Sequence, residues 1–233
     1  MKIIIFSGAG ISAESGISTF RDSNGLWENH KIEDVCTFST WKKNRELVFK
    51  FYNERRLQLA SVVPNRIHYA IAELQENNKT IHLTQNVDNL STIAGGKSVI
   101  HLHGELTKML CTHCGHTWDI GYYEASLEDR CSKCDSVKSI KPMVVFFGES
   151  APEYKKLYSI LASIKKDDIF LMIGTSNNVI DIVGAIRHLK CKKILCNLEK
   201  LDTVDEKVFD HIYYGKGTEN IDKIVEMIQQ QLS

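Results

Sequence analysis

One pattern recurs along this chain and limits what it can fold into: a short apolar run that ends in glycine or in a polar cluster. It occurs at 2–7 before Gly8, at 80–83 before Thr84-Gln85-Asn86-Val87-Asp88-Asn89, and at 98–102 before His103-Gly104-Glu105. It occurs again at 143–147 before Gly148-Glu149, at 169–173 before Gly174-Thr175-Ser176-Asn177, and at 193–196 before Asn197-Leu198-Glu199. Apolar runs without alternation read as strands covered on both faces, and such strands belong to parallel sheets. The polar tips then lie past the carboxyl ends of the strands, where open α/β sheets bind ligands. The expected fold class is α/β, a doubly wound parallel sheet whose tips converge on one crevice.

The segments between the runs are helical or irregular. Residues 32–60 read as helical, with Val48, Phe51, Tyr52 and Leu59 set among Lys, Glu and Arg. Pro64-Asn65 announces a second helix through Ile67, Ala70, Ile71 and Leu74, and the tail closes the domain with Ile221, Ile224, Val225, Ile228 and Leu232. Residues 16–27 show no period and read as a long loop, which in a compact domain is usually functional. No Pro- or Ser-rich linker separates the runs, so a second lobe would be inserted into the sheet domain. The 233 residues are 43% hydrophobic and 25% charged, which excludes a disordered chain. Lys+Arg and Asp+Glu both number 29, so no net charge favours nucleic acid or an anionic membrane as a partner. The longest apolar runs fall far short of the roughly 18 residues that span a bilayer. The chain opens directly on a strand-like run, and the expected location is cytoplasmic.

Three motifs carry chemistry. Gly8-Ala9-Gly10-Ile11-Ser12-Ala13 fits G-x-G-x-x-A after a strand, where glycines let the backbone turn tightly against a pyrophosphate. Cys111-x2-Cys114 and Cys131-x2-Cys134 offer four thiolates for one tetrahedral Zn2+, with no position left open for water. The polar stretch 107–141 is poor in core residues and needs such a staple; a redox pair or an iron–sulfur cluster is the rival. Cys36, Cys191 and Cys196 read as small buried hydrophobes. His103 lies where the tips meet, beside the Gln85-Asn86-Val87-Asp88 tip, and an imidazole suits a general base at neutral pH. His101, two residues earlier, is the weaker candidate.

Taken together, Gly8 through Ile17, Thr19-Phe20-Arg21, Thr84 through Leu90, His101 through Leu106, the four cysteines, Lys141 through Val145, Phe147-Gly148-Glu149, Gly174-Thr175-Ser176 and Asn197-Leu198-Glu199 resemble the sirtuin (Sir2) family of NAD-dependent protein deacylases. The blocks follow family order over nearly the whole chain. The resemblance implies one catalytic domain with a Rossmann-like large lobe at about 1–30, 77–107 and 142–233. Its small lobe would combine a helical insertion at about 31–76 with a zinc-binding module at about 108–141. It implies NAD as co-substrate, one structural Zn2+, and acyl-lysine proteins or peptides as partners. Gly8, Ala9, Gly10, Ser12 and Ala13 would surround the pyrophosphate, and Phe20 and Arg21 would cover the cofactor. Gln85, Asn86, Val87 and Asp88 would position nicotinamide and its ribose, while Gly174, Thr175, Ser176, Asn197, Leu198, Glu199 and Gly217 would take the phosphate and adenosine end. His103 and Asn86 would be catalytic, His103 accepting a ribose hydroxyl proton. Val144, Phe147, Gly148 and Glu149 would meet the substrate. The products would be free lysine, nicotinamide and O-acyl-ADP-ribose.

Tyr52 and Arg55 stand three apart on a helix and face the same way. Spacing alone favours a core tyrosine and a solvated arginine, yet the pair resembles the Tyr-x-x-Arg element of sirtuins that remove succinyl and malonyl groups. Ser91, Phe146 and Asn177-Asn178 depart from the family pattern and bear on the acyl tunnel and peptide grip. Rival functions are an NAD hydrolase or protein ADP-ribosyltransferase on the same fold, and a non-catalytic NAD-binding adapter. The sequence leaves the oligomeric state open, with a monomer as the default.

Overall fold

Ile3, Ile4, Ile5 and Phe6 have no solvent exposure, and they alternate between two separate cores. That is the signature of a central strand with helices on both faces. The computed structural model describes residues 1–18, 26–27, 30–77 and 79–232, so Phe20 and Arg21 lie outside the described residues. In chain order the elements are β1 (Ile3–Ser7), α1 (Gly10–Ala13), β2 (Leu26–Trp27), β3 (His30–Lys31), α2 (Ile32–Val35), α3 (Arg45–Ala60), α4 (Arg66–Asn77), β4 (Thr80–Thr84), α5 (Leu90–Ile93) and β5 (Val99–His101). They continue with β6 (Gly104–Cys111), β7 (Thr117–Asp119), β8 (Ile140–Val144), α6 (Tyr154–Ala162), β9 (Ile169–Ile173), α7 (Ile182–Ile186), β10 (Lys192–Asn197), β11 (His211–Tyr214) and α8 (Gly217–Leu232).

Among the described residues six strands form one sheet in the order β11-β10-β9-β1-β4-β5, and every pairing is parallel. The chain winds from β1 outward to β5, then returns beside β1 and winds the other way. The switch point therefore lies between β1 and β9, where an open α/β sheet leaves a crevice. One face is covered by α4 and α8 through Ile67, Ile71, Leu74, Ile221, Ile224 and Ile228. The other is covered by α6 and α7 through Leu157, Leu161, Ile182, Val183 and Ile186.

Several expectations are corrected here. The run at 143–147 does not join the parallel sheet; β8 pairs antiparallel with β6 at the edge of a separate sheet of order β7-β6-β8. Pro142 within β8 suits an edge strand, since proline lacks the N–H of a ladder. The sixth parallel strand is β11, whose His-Ile-Tyr-Tyr alternates between half-buried and exposed at the sheet's own edge and so offers no apolar run. The helix expected over 32–60 is two helices, because the backbone leaves helical geometry at Cys36 and Thr37 bridges to Phe147. The loop expected at 16–27 ends in β2, which pairs with β3. And α4, expected in the helical insertion, packs on the sheet.

Cys111 ends β6, and the four cysteines meet in two matched turns. In each, the N–H of the residue after the second cysteine bonds to the carbonyl of the first: Gly115 to Cys111 at 2.9 Å, Asp135 to Cys131 at 2.8 Å. Gly115 and Asp135 both take positive φ, at 73° and 56°, which turns the two sulfurs of each pair to the same side. All four Sγ atoms lie within 4.8 Å of one another, with two pairs at 3.6 Å. Zn–S bonds of about 2.3 Å in a tetrahedron give sulfur separations near ~3.8 Å, so the set fits one structural zinc ion. Phe49 of α3 packs on this module with Met109, Ala125 and Ile140. The side chain of Asn53 ties it to α3 twice more, donating to the Ala125 carbonyl at 2.9 Å and accepting from the Ala125 N–H at 3.0 Å.

Metal analysis of the purified protein should find one zinc per chain, and Cys131→Ser should lose it and lower Tm by roughly 5 °C or more. A metal-free wild type with unchanged Tm after chelation would contradict the assignment. Gly10→Ala should destabilise the fold by about 1–3 kcal/mol in urea titration, since its Cβ would stand 2.7 Å from the Gly174 Cα.

Candidate active site

The strand tips wall a single cleft of about 1380 Å³ at the switch point. Its floor is the contact between the first glycine turn and the tip of β9. Gly10 donates to the Gly174 carbonyl at 2.8 Å, and a Cβ on Gly8 would fall 2.8 Å from that of Thr175. Gly174 itself takes φ +62°. The glycines are thus required first by this close backbone approach, which leaves open space above them. Of the residues read from the sequence as cofactor-binding, Gly8, Ala9, Gly10, Ala13, Gln85, Asn86, Val87, Asp88, Gly174, Thr175, Ser176, Asn197, Leu198, Glu199 and Gly217 line the cleft. Ser12 lies behind the wall with no exposure.

Ser12 is there the centre of a buried polar network. Its hydroxyl donates to Asp88 Oδ2 at 2.9 Å and accepts from Asn86 Nδ2 at 3.0 Å. His68 Nε2 lies 3.3 Å from the same oxygen. Because His68 Nδ1 accepts from the Asn65 backbone N–H at 3.2 Å, its proton must sit on Nε2. Burial pushes the His68 imidazole below its ordinary value, which keeps it neutral. Asp88 Oδ1 accepts from the Leu90 N–H at 3.1 Å, so a single side chain fixes the start of α5 and the cleft wall. His68 is absent from the sequence reading, which takes Asn65 only as part of a helix start. A helix start at Pro64 marks their position but gives no hint that the helix's first turn reaches the β1 tip.

Beside this network sits His103. Its Nδ1 faces the Gln85 carbonyl at 3.0 Å, an acceptor only, so Nδ1 carries the proton and Nε2 keeps its lone pair. Burial lowers the His103 pKa, and the Gln85 hydrogen bond opposes that shift in part. Nε2 is 2.8 Å from the hydroxyl of Tyr154, a cleft residue the sequence reading missed. His101 turns away, donating from Nδ1 to the Asn86 carbonyl at 3.2 Å. Gln85 Nε2 donates to Thr175 Oγ1 at 2.8 Å, which links the β4 and β9 tips.

At the far end, the Asn197 amide is committed to the backbone of Thr175, accepting at 3.1 Å and donating at 3.0 Å. It holds the β9 and β10 tips together. Glu14 caps α8 by accepting from the Thr218 N–H and hydroxyl at 3.1 and 2.6 Å. Asn177 adopts φ +62°, a conformation asparagine tolerates, and its side chain bonds to Asp181, Thr203 and Val183.

The remaining wall comes from β8 and α3. Val144, Phe147, Gly148 and Glu149 all line the cleft, with Phe147 exposed. The Glu149 carboxylate is engaged, pairing with Lys141 Nζ at 3.0 Å and accepting from the Phe146 N–H at 3.0 Å. Tyr52 is fully buried behind the wall, stacked on Phe146 with centroids 5.8 Å apart, and its hydroxyl donates to Cys36 Sγ at 3.5 Å. Arg55 enters the cleft over the Phe51 ring, 5.0 Å from its centroid. Its Nε and Nη1 are buried and have no hydrogen-bond partner among the described residues. A buried guanidinium N–H without an acceptor is costly, and a carboxylate is the acceptor its fork fits.

The Sir2 family model matches residues 8–181. An NAD-dependent protein deacylase of Helicobacter hepaticus is 41% identical over 251 residues, covering 98% of this chain and 98% of that protein. A solved complex of a Sir2 homologue with NAD superposes with a TM-score of 0.85 at 30% identity, over 100% of this chain and 91% of the other. A Sir2 complex with a deacetylated p53 peptide and 3'-O-acetyl-ADP-ribose gives 0.79 at 25% identity, over 97% and 92%. With the family model spanning most of its length and such identity holding from end to end, the chain belongs to the Sir2 family.

Proposed function

We propose that this protein is an NAD-dependent protein-lysine deacylase that prefers acyl groups ending in a carboxylate, succinyl and malonyl ahead of acetyl. The observation that carries the reading is His103: a neutral imidazole with its Nε2 lone pair turned into the cleft, between the Gln85–Asp88 tip and the glycine turn. The names of its relatives support the reaction class, and the family's peptide complex supports acyl-lysine chains as substrates. NAD supplies a ribose carbon that turns electrophilic as nicotinamide leaves, and it carries away the acyl group as O-acyl-ADP-ribose.

The chain's own groups divide the remaining work. Gly8, Gly10 and Gly174 keep the floor low enough for a pyrophosphate. Asn86 and Asp88, locked by Ser12, shape the nicotinamide and ribose subsite. His103 accepts the proton of a ribose hydroxyl at Nε2 while its Nδ1–H stays on Gln85. Burial depresses the His103 pKa, so the base remains available as pH falls through the ordinary histidine value near ~6.5. On the acyl side, Arg55 has two nitrogens without a hydrogen-bond partner among the described residues, and Tyr52 lies one helical turn behind it. None of the seven cysteines forms a disulfide and four are arranged for zinc, which supports a reducing compartment and a cytoplasmic protein.

His103→Ala should lower kcat by about 10²- to 10⁴-fold and leave NAD binding measurable by calorimetry. In the wild type, the acid limb of kcat/KM should lie below pH ~6.5; a limb well above it would contradict a buried neutral base. Charge-assisted hydrogen bonds contribute roughly 1.5–3 kcal/mol each, so Arg55→Met should cut kcat/KM on a succinyl-lysine peptide by about 10- to 1000-fold and change the acetyl-lysine value less than about threefold. Equal loss on both peptides would refute the carboxylate preference.

A further inference from the structure

An imidazole that donates through Nδ1 has one lone pair left, on Nε2, and that lone pair accepts one good hydrogen bond. In this structure it is already taken. Tyr154, the first residue of α6, places its hydroxyl 2.8 Å from His103 Nε2, with the two rings tilted and their centroids 5.9 Å apart. The oxygen can only be the donor here, because Nε2 carries no proton. Burial also raises the Tyr154 pKa, with Tyr158 adding to it, so the phenol keeps its hydrogen. The hydroxyl occupies the place that a substrate hydroxyl must take to lose its proton to the same nitrogen. The two donors exclude each other.

We propose that Tyr154 is a positioning residue for the base: in the ligand-free protein its hydroxyl fills the Nε2 lone pair of His103, whose Nδ1–H is held by the Gln85 carbonyl, and yields to the substrate hydroxyl on binding. The groups that face the ring are the Gln85 carbonyl on β4's tip and the Tyr154 phenol on α6, with Tyr158 edge-on behind the phenol at 6.5 Å. Among the described residues no charged side chain acts on the His103 equilibrium. The Tyr154 bond is made to the neutral form and disfavours protonation, so its removal raises the His103 pKa.

The kinetic arm of the test rests on the deacylase reading. Tyr154→Phe should move the acid limb of kcat/KM up by about half to one pH unit and lower the KM for NAD about 2- to 10-fold, because an internal competitor is gone. The kcat at the optimum should change less than about threefold. Tyr158→Phe, which leaves the bond intact, should move neither quantity. An unmoved limb and KM in Tyr154→Phe, or an equal shift in Tyr158→Phe, overturns the inference. The second arm needs no catalysis. In ligand-free wild type, long-range imidazole 1H–15N NMR, with His103 assigned by its absence in His103→Ala, should show the Nδ1–H tautomer. Its titration midpoint should rise in Tyr154→Phe. An Nε2–H tautomer overturns the proposal even if Tyr154→Phe fails to fold, and the expected spectra without deacylation would leave it standing while the functional reading falls.

Discussion

Two glycines pressed against a third set the geometry on which the site depends. Gly10 lies close enough to Gly174 that a single methyl would strike backbone, and Gly8 is held against Thr175 in the same way. This contact joins the tips of β1 and β9 at the point where the sheet reverses its winding. Strands on either side then diverge, and the space between their tips becomes the cleft. Bulk at any of the three positions would push β1 and β9 apart and carry the Gln85 and Asn197 tips with them, since Gln85 bonds to Thr175 and Asn197 clamps the same residue.

Above that floor, two halves of the cleft are prepared differently. On the side proposed for the ribose the polar side chains hold one another: Ser12 is shared by Asn86, Asp88 and His68, and His103 is held at both nitrogens. Such a network keeps its geometry without ligand, as a site for a short-lived cation-like carbon requires. On the side proposed for the acyl group, Arg55 pairs through Nη2 with Glu54 at 3.7 Å, while its Nε and Nη1 have no hydrogen-bond partner among the described residues. In the proposed reading that capacity is what favours an incoming carboxylate over a methyl group. The zinc module enters this balance through α3, because Asn53, two residues before Arg55, is fastened to Ala125 by both atoms of its amide.

Much of this could be read from the sequence where local pattern and chemistry coincide. The central strands are legible as unbroken apolar runs because both of their faces are covered, and the cysteine pairs are legible because knuckle spacing is fixed by the metal. The limits are equally physical. At the sheet edge, β11 mixes His and Tyr with Ile and so escapes a search for apolar runs, whereas β8 has the right composition but pairs in another sheet. Tyr154 and His68 carry no motif; their roles come from tertiary approach, one across 51 residues to His103 and the other across 56 to Ser12. The resemblance makes Asn197 and Glu149 ligand contacts, yet the Asn197 amide is spent on Thr175 and Glu149 Oε2 on Lys141 and the Phe146 N–H.

The proposed deacylation requires a base and a cleft in which an amide oxygen reaches the ribose before water does. Mass spectrometry of the nucleotide products made from NAD and a succinyl-lysine peptide tests this most directly. The account predicts O-succinyl-ADP-ribose in step with freed lysine peptide, and no nicotinamide release when the acyl peptide is left out. Free ADP-ribose formed without the peptide, or nicotinamide release indifferent to its acyl group, would contradict it.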